Sequence, residues 1–120
     1  MHKRIQNLVS ILKQNNLDAV LFNPSPSLSY LSGLHFHLSE RPVVAVFGAD
    51  GQNAIVLPEL EAGRLEGMEL ALDVTTYGED PALWPMQFAK GLQAFAGDGL
   101  RIGVEPTWLR FLELDLVQKA

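Results

Sequence analysis

Cysteine is missing from this chain altogether, which excludes a disulfide scaffold, a thiolate zinc site and a cysteine nucleophile. Long apolar runs are missing too. The basic start MHKRIQNLVSILKQNN spaces its apolar residues, so neither a signal peptide nor a membrane span is expected. Positive charge is scarce: nine Lys and Arg stand against fourteen Asp and Glu, a formal net charge of -5, and only Lys3-Arg4 cluster. A nucleic-acid footprint needs a basic stripe, so no nucleic acid is expected as a partner. There is no internal repeat and no low-complexity linker. What is present is 120 residues, 48% hydrophobic and 19% charged, the normal make-up of one folded domain spanning 1–120. The composition suits the cytoplasm.

The hydrophobic pattern alternates between helix and strand periods. Ile5, Leu8, Val9 and Leu12 fall on one face of a helix over about 4–14. Ala19 to Phe22 is a short continuous apolar run, as in a strand buried on both faces. After the turn residues Asn23-Pro24-Ser25-Pro26-Ser27, a short helical turn with Leu28, Tyr30 and Leu31 should close on Gly33 as a left-handed cap. Pro42–Phe47 and Asn53–Pro58 read as antiparallel strands, because Asp50-Gly51 between them is a hairpin signal. A helix is expected over Glu59–Glu66, with Leu60 and Leu65 inward and Gly67 as its stop, and a strand over Glu69–Tyr77. Asp80-Pro81 can open a helix carrying Trp84, Phe88, Leu92 and Phe95, although Pro85 places its regular part near Trp84. The turn Gly97-Asp98-Gly99 leads to a last strand, Leu100–Glu105, and Thr107 should cap a closing helix with Leu109, Leu112 and Leu116 on one face. The class is α/β, with a mixed sheet of about five strands flanked by helices.

The segment YLSGLHFHLSERP, residues 30–42, is the first place to look for chemistry. His35 and His37 point to opposite sides of an extended chain, and Glu40 is the only carboxylate nearby, so a protein-only metal site is not expected there. Gly97-x-Gly99 precedes a strand and lacks the third glycine of a dinucleotide fingerprint. Glu59, Glu61 and Glu66 read as a solvated helix face. Ser25, Ser27, Ser29, Ser32 and Ser39 form no nucleophile elbow, and the aromatics Trp84, Phe88 and Phe95 read as core. No catalytic residue is expected in this chain.

Several short motifs in fixed order carry a resemblance. They are Arg4-Ile5, Leu17 to Phe22, Asn23-Pro24, Tyr30-Leu31-Ser32-Gly33, Glu40-Arg41-Pro42, Asp50-Gly51, Leu57-Pro58-Glu59-Leu60-Glu61 and Ile102 to Glu105. Together they resemble the N-terminal domain of the creatinase, prolidase and Xaa-Pro aminopeptidase family over nearly the whole chain. Ser32 stands where the family commonly has threonine, and Leu34 to His37 where it often has phenylalanine after the glycine and then varies.

The resemblance implies a ribonuclease-H-like mixed sheet without ribonuclease chemistry. It implies a separate C-terminal catalytic domain, absent from this chain, in which two divalent ions (Mn, Co or Zn) are held by two Asp, one His and two Glu. It further implies a homodimer or higher oligomer, a peptide substrate, and an N-terminal domain that restricts access to a neighbouring subunit's active site. On that reading His35, Phe36, His37 and Arg41 belong to a substrate-gating loop, while Asn23, Pro24, Tyr30, Gly33, Glu40, Pro58 and Glu59 serve the structure. Two other expectations compete with it. One is a peptide- or protein-binding module that keeps the fold without catalysis; the other is a stand-alone small-ligand binder, for which no specific pocket residues stand out.

Overall fold

The computed structural model describes residues 2–66, 70–97 and 99–120. Helix α1 (His2–Gln14) leads to strand β1 (Ala19–Phe22), helix α2 (Pro26–Ser32) and the hairpin of β2 (Val44–Gly48) and β3 (Asn53–Pro58). A 3-10 segment, Glu59–Leu65, precedes β4 (Asp73–Tyr77). Helix α3 (Trp84–Gly91), β5 (Ile102–Val104) and α4 (Phe111–Lys119) complete the chain. The strand order is β4-β3-β2-β1-β5. β2 pairs antiparallel with both β1 and β3, whereas β1 with β5 and β3 with β4 are parallel. Four strands therefore share one direction and β2 runs against them.

Alternating side chains divide the core between the two faces of the sheet. Ala19, Leu21, Val44, Val46, Ala54 and Val56 face α3 and α4, where they meet Trp84, Phe88, Leu92 and Leu116. Phe22, Ala45, Phe47, Ile55 and Leu57 face the other way, against Leu28 and Leu31 of α2 and against Ile5 and Leu8 of α1. The result is three layers, helix pair on sheet on helix pair, and the expected class holds. Helix α3 lies close on the sheet at Gly91, where a Cβ would come within 2.6 Å of Val56 Cγ2 and 2.9 Å of Thr75 Cβ.

Local signals explain the ends that match expectation. Ser25 Oγ accepts the Leu28 amide at the start of α2, Pro26 takes its first position, and Gly33 closes it at φ 74°. Asp80 Oδ1 accepts the Ala82 amide in a 3-10 turn, Pro81–Leu83, and regular helix begins at Trp84.

Elsewhere the ends move. The segment after Pro58 is 3-10 rather than α-helical, with no side-chain cap at its start and Gly63, a weak helix former, inside it; Leu60 points out and is 72% exposed. Leu65 does pack inward. The predicted stop at Gly67 and strand start at Glu69 lie outside the described residues, and β4 begins only at Asp73. Thr107 is not a cap. Residues 106–108 form a turn in which the Glu105 carbonyl accepts the amides of Trp108 and Leu109, which delays α4 to Phe111. Phe95 falls in a separate 3-10 turn, Gln93–Phe95, after α3 has ended. The predicted turn at Gly97–Gly99 includes Asp98, which is outside the described residues; Gly97 and Gly99 both have positive φ.

Candidate functional site

Because β1, β3, β4 and β5 run in parallel, their carboxyl ends lie on one edge of the sheet, together with the start of β2. In α/β sheets this is the edge where binding and catalytic groups gather, since connecting loops diverge there. Asn23-Pro24 follows β1, Pro58-Glu59 ends β3, Glu79 follows Tyr77 of β4, and Glu105 follows β5. The loop 34–43 runs into β2 at the same edge. Asn23, Pro24, Glu40, Pro58, Glu59 and Glu105, scattered along the sequence, thus share one rim, whereas Asp50-Gly51 lies at the opposite end of the sheet.

Below the rim lies a buried polar bolt. Asn23 is 1% exposed and its amide group uses both hydrogens: one goes to the Trp108 carbonyl at 2.6 Å, the other to Glu113 Oε1 at 3.0 Å. Glu113 is fully buried, and Arg110 Nε donates to both of its oxygens at 2.9 and 3.1 Å. A buried carboxylate is tolerated when a cation and hydrogen bonds meet its lone pairs, and Arg110 and Asn23 supply them. The bolt holds the end of β1 to the turn before α4. Beside it, Ser27 Oγ donates to Glu105 Oε2 at 2.6 Å. At the end of β4 the Tyr77 hydroxyl donates to the Pro42 carbonyl, and burial pushes the Tyr77 pKa upward, so it stays protonated as a donor.

Above the bolt, His35, Phe36 and His37 line an open depression of about 630 Å³ with Pro24, Tyr30 and Trp108. His35 and His37 are exposed, and Phe36 is half-buried against the core. Tyr30 is 58% exposed, with the Arg4 guanidinium 4.0 Å over its ring and bonded to its carbonyl at 2.7 Å. Arg41 is directed away from this depression: its Nε donates to Glu79 Oε2 at 3.0 Å, and the pair raises the Arg41 pKa. Glu40 and Glu59 are exposed, and neither is paired with Arg41. Among the described residues no three His, Cys, Asp or Glu side chains converge as metal ligands.

The sequence singles out Asn23 but not its partners. Glu113 lies one residue past Leu112 on the apolar side of α4, a position whose burial its spacing to Leu109 and Leu116 hinted at. Trp108 carried no periodic signal at all.

These features define a three-layer α/β domain with one elaborated rim. The chain belongs to the creatinase/prolidase N-terminal domain family, whose sequence model matches residues 4–120. Among solved structures, a dipeptidase from Pyrococcus horikoshii OT3 is similar with a TM-score of 0.78 and 22% identity, covering 97% of this chain and 31% of that one. A dipeptidase from Mycobacterium ulcerans gives 0.77 and 24%, covering 98% and 32%. The creatinase/prolidase N-terminal domain of an X-Pro dipeptidase from Streptococcus pyogenes gives 0.73 and 17%, covering 97% and 91%. The chain thus spans about a third of the two longer dipeptidases and most of the isolated domain. At these identities the likeness concerns the fold. No curated protein matches the sequence significantly.

Proposed function

We propose that this chain is the non-catalytic N-terminal domain of a proline-directed metallopeptidase, of the Xaa-Pro aminopeptidase or dipeptidase kind. Its tasks are to build a homodimer or higher oligomer and to restrict which peptides enter an active site on a catalytic domain. The observation that carries this reading is the rim. A buried bolt fixes its base, and the loop above it turns His35 and His37 outward.

The two metal ions of such enzymes do not fit the described residues of this chain, which offer no converging ligand set. The partner domain would hold them. Exposed apolar side chains at Leu100 just before β5, at Val104 of β5, and at Phe111 and Leu114 of α4 support docking of a further protein surface on that side. No helix among the described residues is long and apolar enough to cross a membrane. The cytoplasmic location is our reading of the cysteine-free composition.

A second reading, a peptide- or protein-binding module without catalysis, draws on the depression itself. Its aromatic and proline lining suits an extended peptide.

Kinetics of the peptidase that carries this domain separate the two. Replacing His35 and His37 by Ala is expected to change KM for longer peptides by about fivefold, the equivalent of about 1 kcal/mol of contact, with a smaller change for dipeptides. Identical kinetics across several peptide lengths would remove the gate.

A further inference from the structure

The loop 34–43 contains no helix or strand, yet it is tied down at two separated points. At its near end Arg64 Nη1, from the 3-10 segment after β3, donates to the His35 carbonyl at 3.1 Å. Arg64 is not free to swing, because its Nε is held by Glu61, three residues earlier. At the far end Arg41 is held by Glu79, and Ser39 Oγ accepts the Arg41 amide at 3.2 Å. Between the two ties, Phe36 inserts toward the core while His37 and Leu38 stand exposed.

We propose that Arg64, locked by Glu61, is a positioning residue that sets the place of His35 and His37 by gripping the loop backbone, with Glu79 doing the same for Arg41 at the other end. The proposal rests on the gating reading only for its functional consequence; the grip itself belongs to this chain. The planar guanidinium is what makes the grip possible. One nitrogen meets the Glu61 carboxylate while another, at a fixed angle, reaches a carbonyl 29 residues away in sequence. A backbone acceptor makes the tie independent of the loop's side chains. This fits a segment in which His35 and His37 are free to face outward.

Backbone 15N relaxation on the 120-residue chain tests it. In the unaltered protein the amides of His35 to His37 should have order parameters near the rigid value of about 0.85. In Arg64→Met, which keeps an apolar stem without the donors, they should fall below about 0.6, the flexible range. Arg64→Lys should restore little of that order, since one ammonium cannot serve both acceptors in the same fork. Glu79→Gln should loosen Ser39 to Arg41 and leave His35 and Phe36 ordered. Arg64 is half exposed, so the unfolding midpoint of each variant should stay near that of the parent, which separates local release from global weakening. Unchanged order parameters at His35 to His37 in Arg64→Met overturn the proposal. If they fall while the KM of the peptidase carrying Arg64→Met is unchanged, the grip stands and the gating reading fails instead.

Discussion

Replacing Asn23 by Asp should destabilise the domain by at least about 3 kcal/mol at neutral pH, a large share of the roughly 5–15 kcal/mol available to a domain of this size. The substitution is nearly isosteric, so packing is not the cause. Asn23 presents two N–H donors, one to the Trp108 carbonyl and one to Glu113, in a place that is 1% exposed. Aspartate offers only acceptors there, and sets a second carboxylate against Glu113. Asn23→Ala, which merely removes the donors, should lose less, about 1–3 kcal/mol.

The two variants should also differ in pH dependence. In Asn23→Asp the introduced carboxyl is buried beside another carboxylate, which holds its folded-state pKa above its unfolded value, so the folded form binds more protons. Stability of that variant therefore rises as pH falls toward 5 and drops as pH increases, whereas Asn23→Ala shows no such added slope. Urea unfolding at pH 5 and pH 8 measures both effects; an Asn23→Asp midpoint equal to the parent's at pH 8 would refute the bolt.

Arg110→Met should have an effect of the same order, about 3–5 kcal/mol, for a different reason. Arg110 Nε is bonded to both oxygens of a carboxylate that is fully buried. Without it Glu113 keeps only the Asn23 amide and remains an uncompensated charge, the costly half of a broken buried pair. Adding Glu113→Gln to Arg110→Met removes that charge and should recover a good part of the loss. Because Asn23, Arg110 and Glu113 share one network, the losses of the single variants should fail to add by about 0.5–3 kcal/mol. Full additivity would mean that the three side chains act separately.

The parts of this structure that were legible in the sequence are those fixed by neighbours in the chain. The hairpin around Asp50-Gly51, the left-handed cap at Gly33 and the late start of α3 at Trp84 each follow from residues within a few positions. Leu60 and Thr107 misled for the complementary reason. A 3-10 path turned Leu60 outward, and the turn after Glu105 used up the residues that Thr107 would have capped. The rim depends on contacts across the sequence: Asn23 meets Trp108 and Glu113 at separations of 85 and 90 residues, and Arg64 meets His35 at 29. No local pattern encodes such pairs. A buried glutamate and an exposed one look alike until the strands that bring β1 beside β5 are in place.

We propose that the chemistry of this family resides outside these 120 residues and that this domain shapes access to it. The direct measurement is hydrolysis of an Xaa-Pro dipeptide by the purified 120-residue chain with added Mn²⁺, Co²⁺ or Zn²⁺. No turnover above the metal-only control is expected. Turnover that copurifies with the chain through successive columns would contradict it.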